Sequence, residues 1–482
     1  MTRNQMRALC LVALTAVIPF GHMLDMGYSW KNPEPWVVTA GFAVIGLILA
    51  RLSVASRAFG PVFAFVLYWF LDANVYEKGL LLAIPLLAVI FTFAFALRRV
   101  EDWALPAATV FAVMFSATAV LKPHAASLTW SGPDPVAGTA VAAAGERPAV
   151  LHIILDEFMS PLALPETIPP GHPAQTMLAD LAAKGFVVTA RAPSINVKTR
   201  ISISAVMGLT DQDDNFVENP RSDDFSYSVK DNRLFDLLAG QGYDITAVQV
   251  NFLELCNDQP EARCATYTRA VDMNAIARLG LPMPTRIKLA FLALYQEYLD
   301  QKSMRQVALL DLLANVIAGR DASFGFFSRP LAVVDMLDQI SAGDFGPARG
   351  QALIAHMLLP HSPYVLNPDC SLKPVSHWTM PLRTMRTPDP AVVYAGYWDQ
   401  AACTLMRVNR IVDAALARED MIIVIHGDHG ARITEESGAE VQDDLLMTFV
   451  ATRTPGVPGR LETTPQRLQE VTAAFYTGLF AR

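Results

Sequence analysis

A chain of 482 residues is longer than one domain usually holds. It is 52% hydrophobic and 17% charged, against about 25% charged in an ordinary soluble domain, and nearly all of the excess apolar content lies before residue 122. The net charge of −8, with no basic tract to meet a phosphate backbone, argues against nucleic acid as a partner.

Five apolar segments occupy the first 121 residues: Ala8–Leu24, Trp36–Ala50, Phe59–Leu71, Leu81–Leu97 and Leu105–Leu121. Each is read as a transmembrane helix, the third being short against the roughly 20 residues that a span needs. Arg3 and Arg7, then Arg51 and Arg57, then Arg98 and Arg99 all fall on one side of such a bundle, while the alternate loops balance Lys31 and Lys78 with acids. Cationic loops stay in the cytoplasm, so an odd number of spans places the C-terminal part in the periplasm of a bacterial inner membrane. The spans hold almost no mid-bilayer ionisable residue, which argues against a transporter.

Residues 122–147, rich in Ala, Gly, Pro and Ser, read as a linker. Residues 148–482 then alternate strand and helix patterns: strands at Ala149–Leu155, Phe186–Thr189, Asp244–Val250, Ala352–Leu359, Met421–Ile425 and Leu445–Ala451, with helices at Thr176–Lys184, Asn232–Leu238 and about Tyr397–Arg418. This alternation predicts an α/β domain with a mostly parallel central sheet covered on both faces, and in such sheets the loops at the strands' carboxyl ends build the site. Pro284–Ile317 interrupts the pattern as a long helical stretch, either covering the core or resting on the bilayer. Cys10 lies in a span; the other four cysteines suit an oxidising compartment, with Cys256–Cys264 as one local disulfide and Cys370–Cys403 as the other. No CxxC spacing points to a zinc cluster.

Chemistry-bearing residues follow four of these elements. Asp156 and Glu157 directly follow the first strand and suit a cation, or a helix cap. HGDHG, His426–Gly430, follows the strand MIIVI and offers Asp428 and His429 as ligands, with His426 as a nearby nitrogen for substrate contact. In NVKTRISISAVMGL, Asn196–Leu209, Thr199 falls near a helix N-terminus, where an anionic phosphate is favoured. His361, in LPHSPYVL, is placed to donate a proton to a leaving group. His377 is a further candidate for substrate contact, while His152 and His356 lie within strands and read as packing residues.

LDEF, KTRISIS, LFDLLAGQGYDI, LPHSPY and GDHG, in this order, resemble the alkaline phosphatase and sulfatase superfamily. More narrowly they resemble its membrane-bound branch, the phosphoethanolamine and phosphoglycerol transferases and lipoteichoic acid synthases, in which five transmembrane helices precede a sulfatase-like α/β/α domain. The resemblance implies metal ligands at Asp156 (with Glu157 as rival), Thr199, Asp428 and His429, a nucleophile at Thr199 with Ser202 three residues on, and a phosphate contact at His361. It implies a divalent metal, Zn²⁺ or alternatively Mn²⁺. It further implies transfer of a phospho-headgroup from a phospholipid donor to a glycan or lipid acceptor through a phospho-threonine. The same machinery acting on water is a phosphodiesterase or sulfate-ester hydrolase. The C-x-P-S-R pattern of true sulfatases is absent, which counts against sulfate. No histidine follows His429, so the resemblance does not carry a second metal site across.

Overall fold

In the computed structural model the described residues are 2–74 except 26, 56 and 57; 105–110, 112, 114 and 120; 129–131; 147–267 except 220–224 and 258; 279–300; 315–316; 328–380 except 344 and 345; 389–434 except 419; and 442–481. The chain divides into two compact units, Met1–Ser127 with Arg269–Ser328, and Leu128–Thr268 with Arg329–Arg482.

In the first unit, α1 (Arg3–Asp25) packs on α2 (Pro33–Ser53). The contact is a stripe on α2 at Val38, Phe42, Gly46 and Ala50, spaced by four as one helical face requires. The opposite face of α2 leaves Val44, Leu47, Ile48 and Leu52 exposed, an apolar surface that water does not favour. Arg3–Leu24 and Pro33–Ser53 are long and apolar enough to cross a membrane. The third expected span forms α3 (Phe59–Asn74), which at 16 residues is short for the purpose. The fourth expected span, and about half of the fifth, lie outside the described residues. Helix α7 (Met283–Asp300), within the stretch read from sequence as either core cover or bilayer surface, belongs to this unit: Arg286 pairs with buried Glu34 of α2 at 2.5 Å.

The second unit is built on a nine-stranded sheet, from β1 (Thr129–Ser131) through β2 (Val150–Leu155), β3 (Val187–Pro193), β6 (Asp244–Val250), β8 (Ala262–Tyr267), β9 (Gln351–Met357), β10 (Ile422–Gly427) and β11 (Met447–Arg453) to β12 (Arg460–Glu462). The spatial order is β1-β8-β6-β9-β2-β10-β11-β3-β12. Strands β8, β6, β9, β2 and β10 are parallel; β1 and β11 run antiparallel to their neighbours. A smaller sheet joins β4 (Phe216–Glu218), β5 (Tyr227–Val229) and β7 (Leu253–Glu254).

Continuous apolar runs form the central strands because both faces are covered. Val150, Ile154, Ile422 and Val424 share one core with α5 (Thr199–Met207), α6 (Arg233–Gly240) and α11 (Leu468–Phe480). Their alternates Ile153, Ile423 and Ile425 are also buried, so the other face is covered too. Asn232 caps α6 by accepting from Phe235 N–H, and Asp389 caps the long α9 (Pro390–Leu416) by accepting from Ala391 N–H. Both expected disulfides form, Cys256–Cys264 and Cys370–Cys403, with Cα separations of 6.3 and 4.9 Å.

Candidate metal and phosphoryl-transfer site

The adjacent central strands β2 and β10 run parallel in register, Leu155 opposite Gly427. Their carboxyl ends therefore deliver Asp156 and Asp428 to the same point. Two close backbone approaches shape the loop after β10. A side chain at Gly427 would meet Phe158 O at 2.5 Å, and one at Gly430 would meet Asp444 O at 2.1 Å. Only glycine fits there.

Asp428 is fully buried, and its Oδ1 accepts from the N–H groups of Glu157 and His429, both at 2.8 Å. Its Oδ2 has no hydrogen-bond donor and lies 3.1 Å from His429 Nε2. His429 Nδ1 donates to Gly430 O at 2.9 Å, so a neutral ring presents its Nε2 lone pair to that oxygen. Two lone pairs face each other, and a positive charge belongs between them. Thr199 Oγ1 joins the cluster, 3.2 Å from His429 Nε2 and 3.4 Å from Asp156 Oδ2. Asp156 Oδ2 also accepts from His356 Nε2 at 3.2 Å, while buried Asp156 Oδ1 has no partner. Asp156, Asp428 and His429 can bring their ligand atoms within 4.8 Å of one another. This donor set, two carboxylates and an imidazole around a hydroxyl, fits Zn²⁺ or Mn²⁺.

The electrostatics agree. Burial alone would raise the Asp428 carboxyl, but His429 and the hydrogen bonds around it hold it below the ordinary carboxylate range. Burial opposes charge on His429, yet Asp428 lifts that imidazole above its usual value. Both shifts come from the close approach of the Asp428 carboxylate and the His429 ring.

Thr199 is the first residue of α5, whose N-terminal positive end faces the cluster. Ser202, one turn on, donates to Asp428 O at 2.6 Å and accepts from Ser194 Oγ and from Gln469 Nε2 of α11. This buried network fixes the start of α5 against the loop after β10.

Of the residues read from sequence, Asp156, Thr199, Asp428 and His429 come together. Glu157 does not turn toward Thr199. Its Oε1 accepts from Arg432 Nε at 2.9 Å and from Arg432 Nη2, and its Oε2 from Ser362 N–H at 3.4 Å. His361 is partly exposed at the rim, with Nδ1 donating to Ser362 O at 2.7 Å and Nε2 at 3.5 Å from Glu157 Oε1. His377 is exposed in a short helical turn, Val375–His377, and is not among the residues that gather at the cluster. His426, expected to touch substrate, is instead fully buried, its Nε2 at 2.8 Å from His152 Nε2 and its Nδ1 donating to Gly427 O. It sits at a β10 position level with β2, so its neighbour is a strand residue and not the cleft. Sequence reading missed His356, Arg432, and the α9 side chains Tyr397 and Gln400. Tyr397 OH donates to Glu157 O at 3.0 Å and accepts from Met159 N–H.

No family model and no curated protein matches the sequence. Among solved structures, the chain is similar to the phosphonate monoester hydrolase of Agrobacterium radiobacter, at 15% identity and a TM-score of 0.42, over 70% of this chain and 73% of that one. It is similar to the C-terminal periplasmic domain of the phosphoethanolamine transferase EptC from Campylobacter jejuni, at 9% identity and a TM-score of 0.38, over 70% and 89%. It is also similar to the corresponding domain of EcEptC from Escherichia coli in complex with Zn, at 10% identity and a TM-score of 0.35, over 68% and 76%.

Proposed function

We propose that the chain is a sulfatase-like, metal-dependent phosphotransferase of the bacterial inner membrane. In this reading it is anchored by five spans with its α/β unit in the periplasm, and it moves a phosphoglycerol or phosphoethanolamine headgroup from a phospholipid to a glycan or lipid acceptor. The observation that carries the chemistry is Thr199 Oγ1 at the start of α5, within 3.4 Å of Asp156 Oδ2 and 3.2 Å of His429 Nε2. The one-sided Arg clusters and the two disulfides support the topology.

Asp156, Asp428, His429 and Thr199 would hold the ion. When bound, it lowers the pKa of the Thr199 hydroxyl and neutralises charge on the phosphoryl oxygens. Thr199 gives its hydroxyl proton to solvent and its Oγ attacks phosphorus; the bond to the diacylglycerol oxygen breaks, and His361 gives that oxygen its proton. The N-terminus of α5 faces the charge that develops. An acceptor hydroxyl then attacks the phospho-threonine and gives its proton to His361, the bond from phosphorus to Thr199 Oγ breaks, and Thr199 takes back a proton from solvent; with water as acceptor, the same steps make a phosphodiesterase.

Membranes carrying the chain should release diacylglycerol from headgroup-labelled phospholipid, and Thr199→Ala should abolish release. Unchanged release from that variant removes Thr199 from the mechanism. Asp428→Asn should lose metal; a fully metallated variant refutes the ligand set. A labelled glycan or lipid product, rather than free headgroup phosphate, separates transferase from hydrolase.

A further inference from the structure

Two groups of ligand-type atoms meet at the sheet's edge and share Asp156. One is Asp156, Asp428 and His429; the other is Asp156, Glu157 and His361. By atom type alone the second group is as good a cation site as the first. It differs because a cation from the chain is already there.

Arg432 places Nε and Nη2 on Glu157 Oε1, and its remaining Nη1 donates to Val197 O at 3.1 Å, two residues before Thr199. The guanidinium thus joins three loops: the one after β2, the one before α5, and its own after β10. Neither partner rests in ordinary backbone. Glu157 has φ 61° and Arg432 has φ 54°, the left-handed region that non-glycine residues rarely adopt. Glu157 is held there by its N–H to Asp428 Oδ1 and by Tyr397 OH on its carbonyl. Such conformations persist where surrounding contacts fix them and often mark functional sites. Glu157 is 3% exposed and Arg432 21%, so the pair lies at the wall of the cleft and not on the open surface.

We propose that Arg432 fills, from within the chain, the second cation position of this site, so that the protein takes one divalent ion and not two. The inference rests on the metal-dependent reading above. A guanidinium carries a fixed single charge and cannot dissociate from the chain. It neutralises Glu157, leaves Asp156 to the ion shared with Asp428 and His429, and sets a permanent positive charge beside the nucleophile loop.

The test is a metal count on the purified full-length chain in detergent, stripped with chelator, reloaded with Zn²⁺, desalted and measured by mass spectrometry of the metal. Wild type should hold one ion per chain, and Arg432→Lys should still hold one. Arg432→Met should hold two, and adding Glu157→Gln to it should return the count to one. Two ions in wild type, or one in a folded Arg432→Met chain, overturns the proposal. If Arg432→Met does not fold, Glu157→Gln alone decides: a retained single ion supports the proposal, and loss of that ion makes Glu157 a ligand and overturns it. The count needs no turnover, so a wrong donor, acceptor or nucleophile leaves it unchanged and would show separately in the lipid assay.

Discussion

Gln400 of α9 offers the sharpest quantitative test of how the site is held. It is fully buried, and its Oε1 accepts from Val365 N–H at 2.9 Å and Leu366 N–H at 3.3 Å. Its Nε2 faces the carbonyls of Pro360, His361 and Pro363 at 3.1, 2.9 and 3.2 Å, and its two hydrogens can serve two of these at once. One amide therefore organises the whole turn that carries His361. Gln400→Ala strands two buried N–H groups and at least two carbonyls. With each unsatisfied buried group costing about 1–3 kcal/mol and some regained from water, the local loss should be about 2–4 kcal/mol. The Cys370–Cys403 bridge closes the same loop onto α9 and should keep the global fold intact. The effect should therefore be local: amide exchange at Val365 and Leu366 about 30- to 1,000-fold faster, since about 1.4 kcal/mol is tenfold. Gln400→Glu keeps the acceptor and loses the donor, so these two amides should stay closer to wild type while the carbonyls lose their partner. Hydrogen exchange read by mass spectrometry on peptides spanning 360–374 makes the measurement. Wild-type exchange in Gln400→Ala refutes the reasoning.

Three other outcomes follow from the same contacts. His356→Leu removes the donor to Asp156 Oδ2 and should weaken Zn²⁺ binding by roughly 10- to 100-fold in a chelator competition; unchanged affinity would make His356 a packing residue after all. Gly430→Ala puts a Cβ 2.1 Å from Asp444 O, a backbone atom, and should cost about 1–3 kcal/mol, read as a lowered melting temperature that a wild-type melt would contradict. Burial, with His426 beside it, holds the His152 imidazole well below its ordinary value of 6.5, so the unfolded chain takes up a proton that the folded chain refuses. That stability is present above pH 6.5 and is lost as pH falls below it, and His152→Gln should flatten the slope of urea midpoints against pH down to about 5.

The sequence made the central strands legible because burial on both faces forces an unbroken apolar run, as in VLHIIL and IIVIHG. It made Asp156, Thr199, Asp428 and His429 legible because chemistry gathers where such runs stop. What it hid depends on pairing. His356 reads as one more strand residue until β9 lies beside β2, with His356 opposite Ile154. Arg432, two residues past GDHG, has no local signature; its role exists only because Glu157 turns back through a left-handed residue. His426 looked reactive by its company, yet it lies opposite Ile154 of β2 and its ring is buried against that of His152. Strand ends scattered by a few residues, β11 starting at Met447 instead of Leu445, because capping and loop hydrogen bonds decide them and the apolar pattern does not.

The sheet order also dictates when the site can exist. Glu157 N–H and Asp428 Oδ1 bond across a separation of 271 residues, and β2 cannot gain β10 as its neighbour until nearly the whole chain has been made. A growing chain presents Asp156 early, with nothing to complete its ligand set, and closure comes with one of the last strands. Such long-range pairing is slow to form. An early-terminated product would keep α1 and α2 and lose every candidate ligand after residue 156 that gives that carboxylate a purpose.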